Sequence, residues 1–185
     1  MQVFLQTERM TLRRFTAEDL DALVALDNDP DVMRYITGGA PVTRTEVAGY
    51  LWKVLAAQHG EPGYGMYAAI DRGAGEFVGW FALDARLAGR PDEPELGYRL
   101  VRSAWGRGLG SEGSAAMIDR GFRTLGAHRV WAQSMAVNLA SRRVLEKAGL
   151  RHVRSFPAEW PERIPGDEQG DVEYAITRAE WAARG

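Results

Sequence analysis

Between Gly106 and Ser111 the chain reads Gly-Arg-Gly-Leu-Gly-Ser, within the longer run "SAWGRGLGSEGSAAMIDRGF". Three glycines stand two residues apart around one arginine. Glycine lets backbone N–H groups approach an anion closely, and the N-terminus of a following helix favours negative charge. Arg107 adds a guanidinium able to donate a fork of hydrogen bonds. The chemistry that suits these residues is phosphate binding, and three ligands compete for it. A P-loop requires Gly-x-x-x-x-Gly-Lys-Ser/Thr, and no such run occurs. Gly108, Gly110 and Gly113 satisfy the letters of a dinucleotide fingerprint, but the next strand, "HRVWAQ", lacks the acid expected about 20 residues on to hold a ribose. The third ligand is a pyrophosphate of the kind coenzyme A carries. Against all three stands a tight turn that needs glycine only for its backbone angles.

The surrounding elements must position this loop. "RMTLRRF" alternates as a strand, and Thr16 caps a helix over "AEDLDALVALDN". "DPDVMRYITGGAPVT" reads as a loop or broken helix. Thr43 and Glu46 form a capping box for a second helix that Gly60 would stop. "GMYAAIDR", "EFVGWFALDAR" and "EPELGYRLV" are three strands, the first two joined as a hairpin by "RGAG". The helix after the glycine loop carries Ala115, Ile118, Phe122 and Leu125 at helical spacing and ends at Gly126. A strand "HRVWAQSMA", a short helix from Asn138 to Gly149, and the strands "RHVRSF" and "DVEYAITRAEW" complete the order. The pattern predicts one α/β domain over residues 1–185, with a mixed sheet of about seven strands and four flanking helices.

Composition narrows the function classes. The chain has 185 residues, 45% hydrophobic and 26% charged, which suits one globular domain. A net charge of −2, with both signs mixed along the chain, points away from nucleic acid. No cysteine is present, so disulfides, thiolate ligands and a cysteine nucleophile are excluded. His59, His128 and His152 show no ligand spacing, and no metal site is expected. No apolar run approaches the ~20 residues that span a bilayer, and the N-terminus does not read as a signal peptide. The expectation is a cytoplasmic protein with no membrane partner.

"ELGYRLVRSAWGRGLGSEG" followed by "NLASRRVLEKAGL" resembles the GNAT N-acetyltransferase superfamily, and most of all the branch of Rim-type acetylases of ribosomal-protein N-termini. The opening "TERMTLRRFTAEDLDALVAL" and the closing strand–helix–strand also fit, so the resemblance covers nearly the whole chain. It implies direct acetyl transfer from acetyl-CoA to an amine, in a mostly antiparallel sheet whose central pair splays apart. The exposed backbone of Leu100 and Val101 would then lie along the pantetheine arm, as a peptide adds to a sheet edge. N–H groups of Gly106, Arg107, Gly108, Leu109, Gly110 and Ser111 would hold the pyrophosphate. Asn138 would contact the cofactor arm besides capping its helix, and Lys147 would reach a phosphate, as against forming part of a solvated basic face.

The resemblance also implies catalytic residues. The amine must lose a proton, and Glu95 is the first candidate base, ahead of Glu112, whose place in a helix first turn has a sufficient reason in the helix dipole. Many relatives place a tyrosine acid seven residues after the asparagine, where this chain has Leu145. Ser141 is the substitute, the alternative being a helix-surface serine. Acceptor contacts would come from Tyr35 and its neighbours Met33, Arg34 and Ile36, and from Trp160 and Glu162. The acceptor is a protein N-terminal α-amine or a small-molecule amine. A non-catalytic CoA-binding regulatory module, an enzyme using a longer acyl chain, and a homodimer as found in this branch stay open.

Overall fold

A computed structural model describes the chain except for residues 1, 59–62, 86–89, 91, 159–161 and 185. The expected helix stop at Gly60 and the acceptor residue Trp160 therefore lie outside the described residues. Two short strands, β1 (Val3–Gln6) and β2 (Met10–Arg13), form an antiparallel pair. Helix α1 (Leu20–Asp27) is entered through a 3-10 turn, where Thr16 and Asp19 form a capping box. Asp19 also takes two hydrogen bonds from Arg13, at 2.7 and 2.8 Å, which fixes α1 against the end of β2.

The broken-helix segment is a single turn, α2 (Pro30–Met33), with proline at its start and Asp29 as cap. Helix α3 (Arg44–Ala57) begins with the expected box, the Thr43 N–H donating to Glu46 Oε2 at 2.7 Å. Then β3 (Gly65–Asp71), β4 (Phe77–Asp84) and β5 (Glu95–Leu100) run as an antiparallel meander. Helix α4 (Leu109–Thr124) crosses to β6 (Arg129–Met135), which is parallel to β5. Helix α5 (Leu139–Lys147), β7 (Arg151–Phe156), β8 (Asp171–Thr177) and a terminal turn α6 (Arg178–Ala182) close the chain.

The eight strands lie in the order β1-β2-β3-β4-β5-β6-β8-β7, all antiparallel except the β5–β6 pair. Alternation along β4 decides what each face buries. Phe81 and Leu83 pack with Met117, Ile118 and Phe122 of α4. Trp80 packs on the other face with Leu23 and Leu26 of α1 and Val47 and Leu51 of α3. The result is a helix–sheet–helix sandwich. The stripe expected on α4 is corrected in one position: Ala115 faces solvent, and Gly110, Gly113 and Gly121 join Ile118 and Phe122 on the buried face.

Candidate active site

The site begins where the sheet comes apart. The Val101 N–H donates to Val78 O at 3.0 Å. In an antiparallel ladder bonded pairs alternate, so Glu95, Gly97 and Arg99 exchange bonds with β4. The backbone groups of Leu96, Tyr98 and Leu100 therefore point the other way, toward β6. There β5 and β6 share one point of register, Glu95 against Trp131. Below it the strands are pinned: the Trp131 N–H donates to Pro94 O at 3.2 Å, its indole to Glu93 O at 3.0 Å, and the His128 N–H to Asp92 O at 2.7 Å. Above it they diverge into a wedge with Glu95 at its apex. The Trp105 indole returns to Leu100 O at 3.0 Å and fixes the turn that leads from β5 into the glycine loop.

The open end of the wedge carries two helix N-termini. Gly106 and Gly108 adopt φ of 70° and 80°, the left-handed region where a side chain is strained. Gly108 is the N-cap of α4 and offers no side-chain cap. The first amide bonded back into the helix is Glu112, to Gly108 O at 3.1 Å. The N–H groups of Leu109, Gly110 and Ser111 have no acceptor within the helix. An uncapped, glycine-led helix start of this kind fits a pyrophosphate. On the opposite side Asn138 Oδ1 accepts from the Ser141 N–H at 3.1 Å and caps α5.

Other charges near the loop have structural work. Arg107 donates to Asp71 Oδ2 at 2.9 Å, so its guanidinium is engaged with β3 and does not stand free for a phosphate. The Arg107 carbonyl accepts from Arg9 at 2.6 Å. Glu112 accepts from the Arg9 backbone at 2.9 Å and from its guanidinium at 2.7 Å. Burial pushes the Glu112 carboxyl up, but the hydrogen bonds from Thr7 and Arg9 outweigh it and hold it below its ordinary value. Glu112 thus ties β2 to α4 as an ionised anchor.

Glu95 is different. Burial first, and the Asp84 carboxylate second, push its pKa up to about 7. It stands on the floor of a cavity of about 470 Å³, with Trp80, Ala82 and Gly97 beside it and Val54 and Ala57 of α3 opposite. A second cavity of about 280 Å³ shares Met66 and Trp80 with the first and is lined by Tyr50 and Arg99. Arg99 is ion-paired with buried Asp27, which also accepts from the Tyr50 hydroxyl at 2.9 Å. A carboxyl poised near neutrality in such a cleft can take a proton from a bound group.

On the other sheet face the Tyr98 hydroxyl donates to Ser141 Oγ at 3.3 Å. Burial pushes the Tyr98 hydroxyl up, offset in part by that bond to Ser141, so it keeps its proton at neutral pH. Tyr98 was not among the sequence candidates; β5 alternation places it inward, but only the packing of α5 brings it to Ser141. Leu145 is 2% exposed within the core. The wedge thus gathers Glu95, Leu100, the glycine loop, Asn138 and Ser141, whereas the expected exposed backbone of Val101 turns to β4, its N–H bonded to Val78 O. It does not gather Lys147, which is exposed in the last turn of α5, roughly 13 Å along the axis from Asn138. Nor does Tyr35 line either of these two cavities; it packs under Arg34, 5.5 Å from the ring centre.

A family model described as Acetyltransferase (GNAT) domain matches residues 9–151. The chain belongs to the GNAT acetyltransferases. It is 35% identical over 187 residues to the FsC-acetyl coenzyme A-N(2)-transacetylase of Aspergillus fumigatus, covering 97% of this chain and 78% of that one. A GNAT acetyltransferase of Bacillus anthracis superposes with a TM-score of 0.79 at 26% identity, covering 97% and 100% of the two chains. RimL, a ribosomal L7/L12 α-N-protein acetyltransferase solved with coenzyme A, shares the fold with a TM-score of 0.76 at 19% identity, covering 95% and 98%. This GNAT chain is therefore an enzyme that uses acetyl-CoA to acetylate an amine. Among the described residues no helix is long and apolar enough to cross a membrane, and no cluster of three or more His, Cys, Asp or Glu could hold a metal.

Proposed function

We propose that this GNAT enzyme acetylates a primary amine bound in the cavity above Glu95, with Glu95 as the base. The observation that carries the reading is the place of Glu95: at the apex of the wedge, on the cavity floor, with its carboxyl raised to about 7. An α-amine has an ordinary pKa near ~7.7–8.0, close enough for a carboxylate of that basicity to take its proton. Acetyl-CoA supplies the activated acyl group and a thiolate that leaves.

The residues divide the remaining tasks. The N–H groups of Leu109, Gly110 and Ser111 hold the pyrophosphate. Tyr98 and Leu100 turn their backbone groups to the pantetheine arm, and Asn138 holds the facing helix end. The Ser141 hydroxyl, itself supported by Tyr98, donates a hydrogen bond to the departing sulfur. The Ser141 and Tyr98 hydroxyls together take the place of the tyrosine that relatives carry where this chain buries Leu145, which favours catalysis over a binding-only module. The acceptor is a small molecule or a protein N-terminus; the names of the relatives point to an N2 nitrogen in one case and a protein α-amine in the other.

Calorimetry with acetyl-CoA, followed by thiol release against an amine panel, tests the reading. Saturable binding and amine-dependent release are expected. Folded protein that does not bind acetyl-CoA, or that releases thiol at the same rate without any amine, would end it.

A further inference from the structure

The cavity above Glu95 has a second polar end. Arg14 follows β2, is half-buried and lines the cavity. Its backbone is fixed, the N–H donating to Gln2 O at 3.2 Å and the carbonyl accepting from Arg13 at 3.0 Å. Neighbouring Arg13 and Arg99 are spent on Asp19 and Asp27. Among the described residues the Arg14 guanidinium makes no hydrogen bond or ion pair.

The end of β2, the start of β3, the end of β4 and the start of β5 lie at one end of the sheet. Arg14 continues β2 opposite Tyr67, level with Tyr98, and so lies three strand spacings across and three residues along from Glu95, roughly 17 Å between backbones. Between them the lining is mainly apolar, with Met66, Ala82 and Val54 beside Tyr64, Tyr67 and Gln58, and Asp84 stands with Glu95. The cavity reads carboxylates, a mainly apolar middle, guanidinium.

We propose that the acceptor is an elongated primary amine whose far end carries a carboxylate, the amine lying at Glu95 and the carboxylate pairing with Arg14. The inference rests on the acetyltransferase reading above. A carboxylate would form charge-assisted hydrogen bonds with a guanidinium held partly out of water. The second ammonium of a diamine would meet Arg14 as a like charge. A free ω-amino acid and a short peptide with a free C-terminus present the same chemistry.

The test compares ω-aminooctanoate with α,ω-diaminooctane, and a tripeptide with free and with amidated C-terminus, in the parent enzyme and in Arg14→Gln and Arg14→Lys. The parent should favour the carboxylate-bearing member of at least one pair by about tenfold or more in kcat/KM. Arg14→Gln should erase the preference through KM rather than kcat, and Arg14→Lys should restore part of it. Which pair shows the preference tells an amino acid from a peptide. If neither pair shows it, if Arg14→Gln leaves it intact, or if no acceptor reacts although acetyl-CoA binds, this inference falls and the acetyltransferase reading stands. Failure to bind acetyl-CoA would remove both.

Discussion

At the scale of single residues, Glu95 carries the clearest prediction because its pKa moves in a known direction. The folded value of about 7 exceeds the ordinary 4.5, so the folded state holds the proton more tightly. The ionisation-linked cost of burying Glu95 is therefore absent well below pH 4.5 and grows as pH rises to about 7. Glu95→Gln should leave stability unchanged near about pH 4 and raise it by on the order of 2 kcal/mol above about pH 8, as read from urea unfolding. Its kcat/KM should fall on the order of 10²-fold or more and lose the acid limb near neutrality. A variant that keeps the limb would remove Glu95 from the base role. Glu95 could be found in the sequence because the acid opens the strand that enters the glycine loop. Tyr98 and Arg14 could not: each matters through what other elements bring beside it, and a residue's own strand says nothing of that. Arg107 misled for the same reason, since Asp71 sits 36 positions away in the chain and captures the guanidinium.

At the scale of elements, the glycine run has two separate tasks that the letters merge. Gly106 and Gly108 shape the turn through positive φ, whereas Gly113 lets α4 lie on the sheet. A Cβ at Gly113 would come within 2.2 Å of the Phe81 ring. Alanine gains about 1 kcal/mol over glycine in a helix, but overpacking a rigid aromatic costs about 1–3 kcal/mol. Sterics should win. Gly113→Ala should lower the denaturant midpoint and, by tilting the first turn of α4, weaken acetyl-CoA binding measured by calorimetry; equal stability and equal affinity would show that the contact relaxes freely. The Thr43–Glu46 capping box and the order of elements along the chain were legible because they depend on neighbours in sequence. Strand β1 was not, since "VFLQ" is four residues long, pairs on one side only and is half-buried. Helix α6 hid in "DVEYAITRAEW", whose alternation masks the Thr177–Glu180 capping box that ends the strand.

At the scale of the whole molecule, the site follows from one topological fact: the single parallel pair, β5 and β6, lies inside an otherwise antiparallel sheet. Each of these strands keeps a full antiparallel ladder on its outer side, with β4 and with β8, so the two can part without losing those bonds. Parting leaves backbone groups facing each other across a gap, and both strands run on into helix N-termini at its open end. The sheet is thereby built to accept an extended chain whose distal end is anionic. The consequence is readable amide by amide. In hydrogen exchange followed by NMR, acetyl-CoA should raise protection at Tyr98 and Leu100, whose N–H groups point into the wedge. Gly97 and Arg99, already bonded to β4, should change far less. Uniform protection along β5 would indicate global stabilisation by mass action instead. No change at Tyr98 and Leu100 at saturating ligand would mean that the arm does not run along β5, and the roles given to Tyr98 and Leu100 would have to move to β6.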